Sequence, residues 1–577
     1  MDEILITSVA LAVSSIPEGL LVALTVVLAI GMQRILKRKG LVRNLLSAET
    51  LGGVTTICID KTGTLTKGEM QVVDVIGKEG DIAKQMILAN DLDDPLVIAA
   101  HDWAKKIVGN PQKLVSRHKR IDSLPFSSKE KYFVSLNKDK DKTTLFLNGA
   151  PEILLDHVNL DKKEVREIKK TIDRLSKDGK RIIGLARKTL PKTADEINKR
   201  DIKELSWVGL LAFSDPIRKG VASSFEKTRK AGIKTIVITG DYPQTAINVM
   251  KQLGIKVKSD EIILGSDLVK IDTKSLSNKI DGGVKLFARI DPQQKMKIVN
   301  SLKKNGEVVA MMGDGVNDAP ALKHADIGIV VGEATDVAKE SADLVLMDSS
   351  FATIVASIEE GRGIFDNIRK IILYLLSDAF EEIIAVVGAL ILALPLPVTP
   401  AQILWINLVS DGFPDLALTV DPKTKGVMGK SPRSPKEKIV SKWMKVLIAI
   451  TSLTGGLIAL SFFIYFYKTT GDEVLARSIT FASLGVNSLV FVFSVRTLTE
   501  PFWKSNPLVN KWLNLAVFAG LIFQFIPFAT PGLRSFFEIK NPGVYPIILV
   551  FGGSLITFII IEVGKGVIRS KAKWFSH

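Results

Sequence analysis

The chain has 577 residues, more than one hydrophobic core sustains, so several domains are expected. Its mean hydropathy of +0.24, with 24% of residues charged, points to membrane spans joined to a polar part. The single cysteine, Cys58, excludes a disulfide framework, and the net charge of +16 gathers largely beside apolar segments without any nucleic-acid motif, which argues against a nucleic-acid partner.

The first element is an apolar segment over residues 4–30, long enough to cross a bilayer. It lacks a basic leader and runs too long for a signal peptide. Pro17-Glu18-Gly19 interrupts it near the middle: the proline removes a backbone hydrogen bond and the glycine loosens the helix, so carbonyls are freed beside an intramembrane carboxylate. Carbonyls plus a carboxylate suit a hard cation, and a carboxylate in lipid is expensive without a function. Gln33 to Lys39 then reads as a basic flank on the cytoplasmic side.

Val54 to Ile59 is rich in β-branched residues and reads as a buried strand, with turn chemistry starting at Asp60. A carboxylate at the carboxyl end of a strand, followed by Lys61-Thr62-Gly63-Thr64, can act as a nucleophile toward a phosphoryl group. Cys58 is read as core. The string Ile57-Cys58-Ile59-Asp60-Lys61-Thr62-Gly63-Thr64-Leu65-Thr66 resembles the phosphorylation motif of the P-type ATPases. That resemblance implies an α/β haloacid-dehalogenase-like phosphorylation domain with an inserted α+β nucleotide-binding domain, and an α-helical transmembrane bundle of about seven helices. Pro17-Glu18-Gly19-Leu20 is then similar to the fourth membrane helix of the calcium and sodium/potassium pump branch.

Further along, Leu124 to Lys131 and Gly149-Ala150-Pro151-Glu152 resemble the family's nucleotide-binding domain. The resemblance gives Phe126, Lys131 and Arg181 to the nucleotide, together with Arg218 and Arg289. Two departures put adenine affinity in question: Asn148 where a lysine is usual, and Val97 where a glutamate is expected. Three more apolar runs, over 233–238, 286–290 and 308–312, end in Thr239-Gly240-Asp241, in Asp291 to Lys295, and in Gly313 to Asp318. By resemblance Asp60 is the nucleophile, with Lys61, Thr62 and Asp241 beside it. Lys295 meets the phosphoryl oxygens, Thr239, Gly240 and Asn317 position them, and Asp318 supports the site. Asp60, the Thr62 carbonyl and Asp314 hold Mg²⁺, and ATP is the phosphoryl donor.

From about residue 368 the chain is mostly membrane, with spans expected at 368–394, 398–418, 443–467, 478–498, 511–530 and 543–566. Lys423, Lys425, Lys430, Arg433, Lys436, Lys438 and Lys442, and at the end Arg569, Lys571 and Lys573, mark cytoplasmic segments, so the amino terminus is expected outside. Asn407 and Asp411 are i and i+4 and share a helix face. With Glu382, Glu18 and carbonyls near Val13, Ser14 and Ile16, they match one of the two ion sites of calcium pumps; Ala379 and Ser488 leave the other incomplete. One Ca²⁺ per cycle is therefore expected, while Asp378 and Glu381 as extra acids leave another cation open.

The expected division is a membrane helix at 1–36, the phosphorylation domain at 37–77 and 209–350, the nucleotide domain at 78–208, and a six-helix bundle at 351–577. The function is ATP-driven cation transport through an aspartyl-phosphate, Ca²⁺ favoured, in a multi-pass plasma-membrane protein. A sodium/potassium-type pump, or a non-transporting phosphatase or binding module, is the alternative. No Thr-Gly-Glu actuator loop occurs, so a missing N-terminal half is expected as a truncation or a separate partner. This chain alone is then expected to be phosphorylated but not to pump.

Overall fold

The computed structural model describes residues 8, 9, 12, 17, 19–140, 142–424, 426–435 and 437–571, without the side chain of Thr62. Val13, Ser14, Ile16, Glu18, Lys425, Lys436 and Lys573 therefore lie outside the described residues.

The strands, in chain order, are β1 (Gly40–Val42), β2 (Thr56–Asp60), β3 (Gln71–Gly77), β4 (Lys119–Leu124), β5 (Tyr132–Lys138), β6 (Thr143–Gly149), β7 (Arg181–Leu190), β8 (Ser206–Ser214), β9 (Lys234–Thr239), β10 (Ile262–Leu264), β11 (Leu286–Ala288), β12 (Val309–Met312), β13 (Ile327–Val331) and β14 (Leu344–Leu346). They form an eight-stranded sheet in the order β1-β14-β13-β12-β2-β9-β11-β10 and a six-stranded one in the order β3-β8-β7-β6-β5-β4. The larger sheet is parallel except for β1 against β14. Parallel strands buried on both faces need continuous apolar runs, and β12 and β13 are buried throughout. The smaller sheet is antiparallel and is inserted between β2 and β9. The bridge between Thr66 and Ile217 closes the two chain crossings into this insertion.

Helix α1 (Gly19–Lys37) continues through most of the expected basic flank. Arg34 is not a free surface cation there, because its Nη2 donates to the Val420 carbonyl at 2.8 Å. Helix α2 spans Phe351–Ile391, 41 residues and roughly 60 Å at 1.5 Å per residue. It starts well before the expected span: Ser350 caps it, no proline interrupts it, and Phe351 packs on Phe225 of the Val221–Lys230 helix at 4.9 Å between rings. Pro395 and Pro397 follow its end. One continuous helix thus joins the sheet to the membrane.

Helices α3 (Lys442–Thr470), α4 (Glu473–Val495), α5 (Lys511–Ala529) and α6 (Val544–Ser570) complete the bundle. Among the described residues, five helices (α1 and α3 to α6) are long and apolar enough to cross a membrane. The other two expected spans, α2 and residues 400–419, are interrupted by acids or by a change of helical pitch. Residues 400–419 form Pro400–Trp405, a wide turn over Ile406–Asp411, and Gly412–Thr419. Within that turn the Gly412 N–H reaches the Asn407 carbonyl, an i to i−5 bond, so the expected α-helical face of Asn407 and Asp411 is replaced by π-type spacing.

Where this broken helix ends, Asp421 ties the bundle together. Its carboxylate accepts from Lys370 (2.7 Å), Arg496 (2.7 Å) and Asn510 (3.0 Å), and its carbonyl accepts from Asn367 at 3.0 Å.

Candidate active site and ion site

Asp60 ends β2, the strand between β12 and β9, in register with Ile238. The loops after β2, β9 and β12 and the start of the Pro292–Lys304 helix meet at this sheet edge. Asp291 caps that helix, and its first turn carries Lys295 inward. Lys295 Nζ lies 2.5 Å from Asp60 Oδ2 and 2.6 Å from Asp318 Oδ1. Burial raises the Asp60 carboxyl above its ordinary value against the lowering pull of Lys295. Burial also pushes Lys295 down, but Asp60 and Asp318 outweigh it and hold the ammonium above its ordinary value, hence charged.

Lys61 is buried and paired with Asp241, whose N–H donates to the Thr239 hydroxyl oxygen at 3.2 Å. Thr239 is buried, whereas Gly240 and Asn317 are exposed at the open side of the edge. Thr62 lies in the turn Lys61–Leu65. Gly63 has φ +73°, and a Cβ there would run into the Asp314 carboxylate. The glycine thus lets the loop close on that acid. Burial and the neighbouring Asp318 raise the Asp314 carboxyl. Two carboxylates and loop carbonyls are a hard-oxygen set that fits Mg²⁺, a cation that keeps several waters. Among the described residues no group of three or more His, Cys, Asp or Glu side chains could hold a metal alone.

The expected nucleotide residues separate into two places. Phe126 and Lys131 lie in the loop between β4 and β5 of the smaller sheet, Phe126 with 55% of its surface exposed. Arg181 begins β7 and is exposed. Arg218 instead braces the loop after Asp60, its Nη2 donating to the Gly63 carbonyl (2.9 Å) and Nε to that of Thr66 (3.0 Å). Arg289 follows β11, with its guanidinium 4.4 Å from the centre of the Tyr242 ring. Asn148 is buried: it accepts from Gln85 at 2.8 Å and donates to the Ala89 carbonyl at 2.6 Å. Val97 packs into the neighbouring apolar cluster.

In the membrane, Glu382 and Asp411 are buried and Asn407 is half-buried. Ser488 of α4 touches Asp411 Oδ1 at 2.7 Å, Asp378 Oδ2 at 3.0 Å and the Tyr374 hydroxyl at 2.6 Å. Tyr374 donates to the Ser410 carbonyl at 2.7 Å, and Asn487 donates to Glu381 at 2.7 Å. Both oxygens of Glu382 and both of Asp415 lack a hydrogen-bond partner among the described residues. Orphaned buried carboxylate oxygens are costly and mark where a cation or proton belongs. Asp415 was not foreseen, although a second acid four residues after Asp411 in an apolar segment was a legible signal. Tyr374 and Asn487 gave no comparable signal, being ordinary polar residues.

A buried aspartate bridged by a lysine at the edge of a parallel sheet, joined by one helix to buried acids in an apolar helical bundle, is the arrangement of a membrane phosphotransfer enzyme. Residues 54–326 match the family model described as haloacid dehalogenase-like hydrolase, and residues 395–567 that of cation transporting ATPase, C-terminus. The chain is 35% identical to a calcium-transporting ATPase of Bacillus subtilis over 96% of this chain and 68% of the relative. It is likewise 35% identical to calcium-transporting ATPase 1 of Bacillus cereus (99% and 69%) and 34% identical to calcium-transporting ATPase 1 of Saccharomyces cerevisiae (98% and 65%). The chain belongs to the P-type cation-transporting ATPases and is a multi-pass membrane protein. It spans about two thirds of the length of these relatives.

Proposed function

We propose that this chain serves ATP-driven Ca²⁺ transport in the plasma membrane through phosphorylation of Asp60, and that by itself it is phosphorylated without pumping. The observation that carries the reading is the Lys295 bridge between Asp60 and Asp318 at the carboxyl edge of the parallel sheet. Phosphoryl transfer asks the protein for an in-line nucleophile and fixed positive charge. Asp60 attacks the γ-phosphorus of ATP, a P–O bond forms to its carboxylate, and ADP leaves with the bonding pair of the broken bond. Lys295 meets the charge on the phosphoryl oxygens, and Thr239, Gly240 and Asn317 orient them. Asp60, the Thr62 carbonyl and Asp314 would hold Mg²⁺, which when bound neutralises phosphate oxygens. Phe126 supplies a ring face for adenine, with Lys131, Arg181 and Arg289 around the nucleotide. Arg218 shapes the loop through its carbonyls.

The cation reading rests on the names of the relatives and on the acids. Glu382, Asn407 and Asp411, together with Glu18 and the carbonyls near Val13, Ser14 and Ile16, make the cage for Ca²⁺; Asp415 joins them through its orphaned oxygens. A phosphatase that had lost transport would have no reason to keep such acids in lipid. The test is labelling with γ-phosphate-labelled ATP. An acid-stable, hydroxylamine-sensitive label should appear and be missing from Asp60→Asn; a label that persists in this variant overturns the assignment.

A further inference from the structure

Arg289 is a non-glycine residue in the left-handed region, at φ +60°, immediately after β11. Backbone of this kind persists only where its surroundings impose it, and it gathers at functional sites. Here the Arg289 N–H donates to the Asp241 carbonyl at 3.1 Å, which ties the bend to the Thr239-Gly240-Asp241 turn. The bend turns the guanidinium onto the ring of the next residue in that turn, Tyr242, at 4.4 Å from its centre. Tyr242 is 66% exposed, and Pro243 holds its backbone extended (φ −63°, ψ 143°).

The Pro243–Gln252 helix that Tyr242 begins is also where the inserted domain rests. Asn248 Nδ2 donates to the Lys177 carbonyl at 2.8 Å, and Gly179 lies against Asn248 and Thr245. Arg181 follows two residues after Gly179, so the strand that it begins starts close to where the insertion meets this helix. A free arginine loses much side-chain entropy on gripping an anion, whereas one stacked on an aromatic face is already oriented and keeps its N–H groups available.

We propose that Tyr242 is a positioning residue for the nucleotide: its ring holds the Arg289 guanidinium beside the Thr239-Gly240-Asp241 turn, where Arg289 meets the phosphates of ATP. This rests on the reading of Asp60 as the phosphorylated residue and of ATP as donor. The exposed ring makes substitutions benign to the fold. The experiment measures half-saturation by ATP in Asp60 labelling, and equilibrium binding of ATP, on the full chain in detergent. In Tyr242→Ala, half-saturation and the dissociation constant should both rise about three- to tenfold, the range of an exposed to partly desolvated cation–π contact, with maximal label retained. Tyr242→Phe, which keeps the ring, should match the unaltered chain, and Tyr242→Ala should add nothing in an Arg289→Ala background. Unchanged ATP affinity in Tyr242→Ala, or independent addition of the two substitutions, overturns the proposal. A chain that binds ATP but never labels Asp60 overturns the phosphorylation reading instead, and the binding measurement still decides the role of Tyr242.

Discussion

Lys295 and Asp60 are 235 positions apart in the chain, and their side chains meet at 2.5 Å. The same ammonium reaches Asp318 at 2.6 Å, so one cation binds the loops after β2 and β12 to the helix that follows β11. Lys295→Ala should slow Asp60 labelling by about 10²–10³-fold, the scale of losing one preorganised donor at a developing anion. A variant that folds and labels at the normal rate would show that Lys295 serves structure only.

The proposed nucleotide contact of Phe126 gives a second test. Phe126→Ala should weaken ATP binding by roughly 1–2 kcal/mol if the ring stacks on adenine. Labelling of Asp60 by a small phosphoryl donor without a nucleoside should be unaffected. Equal loss with both donors would assign Phe126 to folding.

Cys58 is buried in β2, and burial, with Glu307 as a lesser cause, pushes its thiol up to about 12. Only the thiolate is nucleophilic, so native protein should resist alkylation at neutral pH, and denaturant should expose one reactive thiol. Rapid native labelling would contradict the packing of β2.

Glu307 accepts from Thr55, from Thr56 at 2.9 Å and from Lys234 at 2.6 Å, at the opposite end of β2 from Asp60. Burial alone raises its carboxyl, but Lys234, Thr55 and Thr56 together hold it below its ordinary value of 4.5. A lowered folded value gives stability that is present above 4.5 and is lost as pH falls through the folded value. Glu307→Gln should cost about 1–2 kcal/mol at neutral pH, with the gap to the unaltered protein closing in acid. Thermal unfolding of both proteins across that pH range measures it; a gap independent of pH would refute the ionic part.

Much of the sheet was legible because parallel strands buried on both faces leave apolar, β-branched runs, and those ending at Asp60, Thr239 and Met312 are all present. The membrane part was less so. Hydropathy detects the lipid-facing stretch of a helix, so it missed the first turns of α2, whose partners are protein side chains such as Phe225. The wide turn at Ile406–Asp411 is equally silent, because an i to i−5 bond changes no residue type. Asn148 illustrates a third limit: nothing in the sequence shows that this amide is buried and serves Gln85 and Ala89.

The most direct measurement is labelling of the full chain by γ-phosphate-labelled ATP in the presence and absence of Ca²⁺, with Asp60→Asn and Asp411→Asn beside it. Label should depend on Ca²⁺ in the unaltered chain, be missing from Asp60→Asn, and need more Ca²⁺ in Asp411→Asn. Label that forms equally without Ca²⁺ or any other added transported cation, or that survives in Asp60→Asn, would contradict it.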